Sequence, residues 1–310
     1  IGKFEKREQI REGSFGKVYK AIDKETGQIC AAKVNRKELV QCDDNDINNL
    51  SREINILAQI ESPLIVKFIG FNTVDFHEDS KPTIVTEFIK NGSLRDIIEA
   101  ELRGLSLPEW DETKKLIVIY GVASGLAYLH AHEILHRDIK PENIFLDEFL
   151  FPKIGDFGLA KEIKDDTTTA FVGTPLFISP EIINDAQYTK AGDVYAYAML
   201  VYSLLTLKDP FDEKNQFTIF KKVSKGYRPL FPDNVPECYQ NLLRKCWSHL
   251  PEERPSFEDI IDIIKANPDF ITSGVDEDEF IKYVDSIGDT FYADEKTIKS
   301  GLSAIELMDR

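Results

Sequence analysis

The chain has 310 residues and a formal net charge of −16, and 42% of its residues are hydrophobic. That hydrophobic content is enough for a packed core and argues against a chain that is disordered throughout. The strongly negative charge excludes general nucleic-acid binding, which needs a field that attracts phosphates.

The cysteine pattern indicates a reducing compartment. The four cysteines have no C-x-x-C spacing, so we expect no disulfide framework and no zinc site, but reduced thiols in a cytoplasmic protein. They are Cys30, Cys42, Cys238 and Cys246. No apolar run approaches the roughly 20 residues of a membrane span, and no signal peptide is visible.

Residues before about 90 are predicted to form mostly β-strands. Two strands, 18–22 and 29–34, are expected to form a hairpin that turns at Gly27. Further strands are predicted at 65–71 and 83–88. A helix is predicted at 46–60, because four apolar residues recur there at helical spacing: Ile47, Leu50, Ile54 and Leu57.

From Asn91 onward the pattern becomes helical. One long helix is predicted around residues 116–130. Another at 190–206 is apolar nearly all round, which is typical of a central buried helix. Two more are expected at 236–247 and 256–265. The change near residue 90 predicts two lobes joined by a short hinge.

The segment 266–310 differs in composition, with 11 acidic and 4 basic residues. A calcium-binding loop around Asp285–Glu295 is excluded, because the glycine needed at its sixth position is Thr290. We expect a solvated acidic helix or partial disorder.

A glycine-rich segment and two opposite charges indicate phosphate binding. Gly13-Ser14-Phe15-Gly16 lies between strand-like segments, and glycine lets backbone N–H groups approach phosphate oxygens. Lys33 lies within an apolar strand, and Glu53 lies on the apolar stripe of the predicted helix. Because each charge needs an opposite partner there, we expect a Lys33–Glu53 ion pair beside a phosphate.

The most specific pattern is the run from His136 to Asn143, which reads His-Arg-Asp-Ile-Lys-Pro-Glu-Asn. Asp156-Phe157-Gly158 begins 13 residues after Asn143. Phosphoryl transfer needs a group that accepts or orients a hydroxyl proton, and oxygen ligands for Mg²⁺. Asp138 suits the first task, and Asn143 and Asp156 suit the second.

With these motifs the chain resembles the protein kinase family over roughly residues 4–265. The resemblance implies an α+β, bilobal protein kinase fold. A small antiparallel-β N-lobe with one regulatory helix would span 1–88, and a larger, mostly α-helical C-lobe would span 89–265. The acidic extension, 266–310, would follow. The segment from Thr83 to Leu94 and the pair Cys246-Trp247 resemble the tyrosine-kinase-like (TKL) group.

The resemblance implies a Ser/Thr protein kinase that uses ATP and Mg²⁺ to phosphorylate protein substrates. The catalytic residues would be Lys33, Glu53, Asp138, Lys140 and Asn143, with Asn143 and Asp156 as metal ligands. Thr86 would be the gatekeeper, and the backbones of Glu87 and Ile89 would bond the adenine. The nucleotide-binding set would be Ile10, Gly13, Ser14, Phe15, Gly16, Val18, Ala31, Lys33, Thr86, Glu87, Ile89 and Phe145.

The resemblance also implies supporting contacts. Glu181 would pair with Arg254, and Asp193 would hold the backbone of the 136–138 loop. Thr174 would hydrogen-bond both Asp138 and Lys140, which favours Ser and Thr as acceptors. The chain departs from the family pattern at three positions: Arg11 replaces the first loop glycine, Ser179 replaces an alanine, and Gly155 precedes Asp156.

Two alternatives remain open, a pseudokinase that binds ATP as a scaffold and a small-molecule kinase. Lys33, Asp138 and Asp156 are all present, which disfavours the first. Gly173-Thr174-Pro175 resembles a peptide-binding segment, which disfavours the second. Thr167-Thr168-Thr169 is a predicted phosphorylation site, modified by an upstream kinase or by autophosphorylation, whose phosphate would pair with Arg137.

Overall fold

A computed structural model describes residues 1–13, 16–164 and 172–288. The described residues up to Lys90 form one compact unit, and those from Asn91 onward form a second. Ser14, Phe15 and Thr167–Thr169 lie outside the described residues. Within the described ranges, no helix is both long and apolar enough to cross a membrane.

The first unit is built on a five-stranded antiparallel sheet in the order β1-β2-β3-β5-β4. Its strands are β1 (Phe4–Glu12), β2 (Gly16–Asp23), β3 (Ile29–Asn35), β4 (Phe68–Asn72) and β5 (Thr83–Glu87). Successive side chains alternate between the two faces of a strand. One face is covered by a small apolar core of Phe4, Ala21, Cys30, Ala32 and Val85.

The hairpin between β2 and β3 turns where the sequence predicts. Asp23 Oδ1 accepts hydrogen bonds from the N–H groups of Glu25 and Thr26, at 2.9 and 3.2 Å. Gly27 has φ +72°, a conformation that costs glycine little because it has no Cβ. The hairpin fixes the register of β3, the strand that carries Lys33.

The helix of the first unit is α1 (Asp44–Gln59), close to the predicted 46–60. Asp43 caps its N-terminus by accepting a hydrogen bond from the Asp46 N–H at 2.9 Å, and the Asp46 carboxylate accepts one from the Asp43 N–H at 3.1 Å. Leu50, Ile54 and Leu57 are buried on one face, as the spacing predicts, whereas Ile47 in the first turn is exposed. Glu53 lies on that same buried face.

The second unit is mostly helical. Its helices are α2 (Leu94–Leu102), α3 (Glu112–Ala131), α4 (Pro180–Asp185), α5 (Lys190–Thr206), α6 (Gln216–Ser224), α7 (Glu237–Cys246), α8 (Phe257–Ala266) and α9 (Glu277–Gly288). Its short strands are β6 (Ile134–Leu135), β7 (Ile144–Leu146), β8 (Pro152–Ile154) and β9 (Lys161–Glu162). β7 pairs with β8 and β6 pairs with β9, both antiparallel.

Helices α3 and α5 form the centre of this unit, and both are buried on nearly all sides. The hydroxyl of Tyr197 on α5 donates to the Ile119 carbonyl of α3 at 3.0 Å, which satisfies a buried polar group. The predicted buried helix at 190–206 is therefore confirmed. It provides a rigid base for the loop that follows α3 and β6.

The acidic segment after residue 265 contains a helix that is not simply solvated. One face of α9 buries Phe280, Tyr283 and Ile287. Tyr120 of α3 contacts Phe280 edge to face, with ring centroids 5.5 Å apart. The acidic residues of α9 dominate the composition of this segment and obscure its apolar face. Three apolar side chains at helical spacing are nevertheless enough to dock a helix.

Candidate active site

The run predicted to carry the chemistry forms a loop after β6, which a 3-10 turn (Pro141–Asn143) then closes. The buried carboxylate of Asp193, in the first turn of α5, holds this loop. It accepts hydrogen bonds from the N–H groups of His136 and Arg137, both at 2.9 Å. These bonds confirm the predicted role of Asp193, which is to hold the backbone of the 136–138 loop. Arg137 is held in a left-handed backbone conformation, with φ +64°.

Asp193 keeps its charge although it is buried. Burial opposes the charged form, but the hydrogen bond from His130 Nε2 at 2.9 Å and the neighbouring His136 outweigh it and lower the pKa of Asp193. A carboxylate accepts but cannot donate, so His130 Nε2 carries the proton. The loop is therefore held by a charged acceptor.

His136 joins the loop to the segment that contains Asp156. Its Nδ1 accepts a hydrogen bond from the Asp138 N–H at 3.3 Å, so its Nε2 is the donor to the Gly155 carbonyl at 3.1 Å. Its ring lies 5.1 Å from that of Phe157. This single side chain ties the backbone of Asp138 to the residue before Asp156.

The Asp138 carboxylate is 9% exposed and receives three hydrogen bonds. Lys140 Nζ and Asn143 Nδ2 donate to Oδ2, at 2.6 and 3.0 Å. The Thr174 hydroxyl donates to Oδ1 at 2.8 Å and accepts from Lys140 Nζ at 2.9 Å. A carboxylate has about four lone-pair sites, so one on Oδ1 remains for a substrate hydroxyl.

Asn143 and Asp156 offer the oxygen atoms predicted for a metal. Asn143 uses its Nδ2 for the carbonyl and Oδ2 of Asp138, whereas its Oδ1 accepts no hydrogen bond from the described residues. The Asp156 carboxylate is exposed, and its backbone has φ +58°. The Gly155 N–H bonds the Asn143 carbonyl at 2.9 Å at the open end of the β7–β8 hairpin, which brings the two residues together.

These donors fit Mg²⁺ better than a metal that needs a closed protein cage. Mg²⁺ keeps several waters and is held by one or two carboxylates together with substrate phosphates. Within the described ranges, no group of three or more His, Cys, Asp or Glu side chains could hold an ion. An amide oxygen and one exposed carboxylate therefore suit Mg²⁺ bound together with a phosphate.

The segment that carries Thr174 is fixed by a buried ion pair. Arg254 donates from Nη1 and Nη2 to the two carboxylate oxygens of Glu181, at 2.7 and 2.8 Å. The predicted pair is confirmed. Ser179, where the family has alanine, donates to Glu181 Oε1 at 2.6 Å. Burial opposes the charge, but these bonds hold the pKa of Glu181 below its ordinary value.

Tyr188 is a supporting residue that sequence reasoning missed. Its hydroxyl accepts from the Val172 N–H at 2.6 Å and donates to the Val172 carbonyl at 2.8 Å. Its ring lies 5.0 Å from the Arg137 guanidinium. Burial raises the pKa of Tyr188, so the hydroxyl stays protonated. A single aromatic residue just before a helix gives no sequence signal for this role.

In the first unit, Lys33 and Glu53 form the expected ion pair. Lys33 Nζ lies 2.7 Å from Glu53 Oε1, and both side chains are largely buried. Lys33 is held by the register of β3, in which it lies opposite Val18 and Ile84. Glu53 is held by the buried face of α1. The pair places a fixed ammonium group on the sheet.

Three of the predicted nucleotide-contacting side chains, Val18, Ala31 and Thr86, share one face of the sheet with Lys33. The register places Val18 opposite Lys33, and Ala31 opposite Thr86. Because residues two apart on a strand face the same side, all four lie on the face opposite the Phe4 core. Ile10 on β1 is exposed. This half-exposed apolar surface can accept a flat ring.

The glycine-rich turn and the end of β5 carry the other predicted nucleotide-binding residues of the first unit. The Gly13 N–H bonds the Gly16 carbonyl at 2.9 Å. A Cβ added at Gly16 would lie 2.0 Å from the Val34 carbonyl oxygen, so glycine is required there. Thr86 Oγ1 donates to the Glu87 carbonyl at 3.3 Å. Ile89 is partly exposed, as is Phe145 of β7 in the second unit.

Comparison with known proteins agrees with this geometry. The family model for the protein kinase domain matches residues 4–263. A protein of Acanthamoeba polyphaga mimivirus named as a serine/threonine-protein kinase/receptor, R818, is 34% identical over 82% of this chain and 14% of its own length. The RGS domain-containing serine/threonine-protein kinase A of Dictyostelium discoideum is 32% identical over 83% of this chain and 22% of its own length.

Another relative is named for a broader specificity. The dual specificity protein kinase shkB of Dictyostelium discoideum is 31% identical over 83% of this chain and 39% of its own length. The chain thus spans only a fraction of each relative. The antiparallel sheet with one helix, the mostly helical second unit and the family match confirm the predicted fold class. The chain belongs to the protein kinase domain family.

Proposed function

We propose that this chain transfers the γ-phosphate of ATP to Ser and Thr hydroxyls of protein substrates. The observation that carries the proposal is the Thr174 hydroxyl, which joins Asp138 Oδ1 to Lys140 Nζ at 2.8 and 2.9 Å. This bridge holds the segment after residue 172 beside the Asp138 carboxylate. A substrate backbone bound to that segment lies close enough for a short Ser or Thr side chain to reach Asp138. A Tyr side chain is several ångströms longer.

Each side chain has a proposed task in the transfer. Asp138 accepts the hydrogen bond of the acceptor hydroxyl at its remaining Oδ1 site and orients the oxygen for attack. Lys140 Nζ neutralises charge that develops on the transferred phosphoryl group. Lys33, fixed by Glu53, holds the ATP phosphates.

The adenine would bind the sheet face that carries Val18, Ala31 and Thr86, with Ile10 as a further apolar contact. Phe145 of the second unit is proposed separately as a nucleotide-binding residue. Glu87 and Ile89 would bond the edge of the adenine through their backbones. No described atom lies within 4 Å of a Cβ added at Gly13, which leaves the backbone there open to phosphate, and Gly16 is proposed as a second backbone contact. Ser14 and Phe15, between those glycines, are proposed as phosphate-loop contacts.

Asn143 Oδ1 and the Asp156 carboxylate would hold Mg²⁺. When bound, this ion neutralises phosphate charge and helps to position the β- and γ-phosphates. The protein's own contribution is to fix the two donors at the end of the β7–β8 hairpin. His136 supports that position through the Gly155 carbonyl.

The pseudokinase alternative is not favoured. The residues whose loss would support it, Lys33, Asp138 and Asp156, are present, and the named relatives are kinases.

Three finer proposals go with the main one. They are membership of the TKL group, a cytoplasmic location, and phosphorylation of Thr167–Thr169 by an upstream kinase or by the chain itself.

The test is transfer of labelled γ-phosphate to three peptides that differ only in a Ser, Thr or Tyr acceptor. We expect transfer to Ser and Thr with a kcat/KM well above that for Tyr. Equal efficiency on Tyr would contradict the acceptor preference and would match the name of the dual-specificity relative. No transfer to any of the three would contradict the proposed activity.

A further inference from the structure

Helix α6 (Gln216–Ser224) presents an aromatic and basic face to solvent. Ile219 and Val223 are buried and dock the helix. Phe217 is 72% exposed, an unusual position for so large an apolar side chain. Helical spacing places Phe217, Lys221 and Lys225 on the side opposite the buried pair.

The same stretch is a local exception to the charge of the protein. The stretch from Lys214 to Arg228, both included, has five basic and no acidic residues, in a chain with a net charge of −16. Lys222 is neutralised by an ion pair with Glu213. Lys221 and Lys225 make no ion pair with any residue that the structure describes. The aromatic side chain is therefore flanked by uncompensated positive charge.

The position of α6 links this face to the catalytic loop. The helix packs against α4 and against the 3-10 turn Pro175–Phe177. That turn directly follows Thr174, whose hydroxyl bonds Asp138. A peptide held on α6 therefore lies beside the segment that would hold the acceptor.

We propose that the α6 surface, defined as Phe217, Phe220, Lys221 and Lys225, docks an acidic segment of the protein substrate that contains an apolar side chain. The inference rests on the proposed kinase function. Phe217 and Phe220, whose ring centroids are 6.5 Å apart and nearly perpendicular, would cover the apolar side chain. Lys221 and Lys225 would pair with the flanking carboxylates.

A peptide fits this surface better than an anionic membrane. Charges farther apart than the Debye length of about 8 Å at physiological ionic strength are largely screened. A short segment meets only the local positive patch, whereas a flat bilayer also faces more of a chain whose net charge is −16. Anionic vesicles are therefore a competing outcome of the test.

The first measurement is binding of a labelled peptide with Asp and Glu around one Leu, and with no hydroxyl residue. The variant Phe217→Ser/Lys221→Glu/Lys225→Glu should raise its Kd at least about tenfold, because it removes an apolar contact and reverses two charges. The control, Phe149→Ser/Lys245→Glu/Lys265→Glu, makes the same chemical changes at exposed sites of the second unit. It should leave the Kd close to that of the wild type.

The second measurement separates a lost surface from a damaged fold. A peptide with Lys in place of its acidic residues should bind the α6 variant more tightly than it binds the wild type. Circular dichroism should show the same helix content in both proteins. If the acidic peptide binds the wild type and the α6 variant with the same Kd, the proposal is overturned. Binding to phosphatidylserine vesicles without binding to the peptide would also overturn it.

The third measurement connects docking to the reaction. A Ser peptide is compared with the same peptide joined through a Gly-Ser linker to the acidic segment. The wild type should show a KM about tenfold lower for the joined peptide than for the simple Ser peptide. In the α6 variant the two KM values should be nearly equal. Equal KM values for the two peptides in the wild type would overturn the docking proposal but would leave the proposed kinase function standing. Absence of transfer to either peptide would contradict the proposed function, while the binding measurement would still report on the surface.

Discussion

The Thr174 hydroxyl donates a hydrogen bond to Asp138 Oδ1 at 2.8 Å, although the two residues lie 36 positions apart in the chain. Lys140 Nζ donates to the same hydroxyl at 2.9 Å and to Asp138 Oδ2 at 2.6 Å. The carboxylate and the segment after residue 172 are therefore held by one closed set of hydrogen bonds. Loss of the hydroxyl should release the segment without removing a reacting group.

Thr174→Ala should lower kcat/KM for a Ser peptide at least about tenfold, because a hydrogen bond to a charged group contributes about 1.5–3 kcal/mol. Thr174→Ser keeps the hydroxyl and should retain most of the activity. Steady-state kinetics with both variants measure the effect. A wild-type kcat/KM in Thr174→Ala would show that the bridge does not position the substrate.

Asp156→Asn should raise the Mg²⁺ concentration needed for half-maximal transfer, because it removes the negative charge from a proposed ligand. Asn tolerates the positive φ of this position, so the fold should persist. Glu148→Gln removes an exposed charge from the turn between β7 and β8 and is the control. The same Mg²⁺ dependence in all three proteins would contradict the metal assignment.

Glu181→Gln should lower the free energy of unfolding at pH 7 by about 3–5 kcal/mol, because it leaves Arg254 buried without its counter-charge. The exposed Glu252→Gln is the control and should change it by less than about 0.5 kcal/mol. Urea denaturation measures both variants. A Glu181→Gln protein as stable as the control would show that the ion pair contributes no net stability.

The pH dependence of stability should follow from Glu181 and Asp193. The folded state lowers the pKa of each below its ordinary value, 4.5 for Glu and 3.8 for Asp. The stability that they provide is therefore fully present above those values and is lost as pH falls through the lowered folded pKa values. The stability of Glu181→Gln should therefore fall less steeply with decreasing pH in this acidic range than the stability of Glu252→Gln. An unchanged slope would contradict the contribution of Glu181.

The sequence predicted the catalytic loop well because motif and function coincide there. Asp138, Asn143 and Lys140 are close together in the chain, and Asp193 and Arg254 lie in patterns of the family. Tyr188 could not be predicted, because its role depends on contacts with the backbone of Val172 and with Arg137. The prediction of a solvated segment after 265 was incomplete, because α9 buries Tyr283 and two neighbours.

The buried face of α9 gives a matched pair of substitutions on one helix. Phe280→Ala should lower the free energy of unfolding by about 3–5 kcal/mol, because it leaves a cavity against Tyr120. The adjacent Ile281 is 47% exposed, so Ile281→Ala should change it by less than about 0.5 kcal/mol. Equal effects of the two substitutions would show that α9 does not dock through this face.

The most direct test of the central claim is γ-phosphate transfer by wild type and Asp138→Asn on the same Ser peptide. The substitution preserves shape but removes the charged acceptor of the substrate hydroxyl, so kcat should fall by about 10²–10⁴-fold. ATP binding, measured separately, should stay within a few-fold of the wild type. Near-normal kcat in Asp138→Asn, with intact ATP binding, would contradict the proposed mechanism.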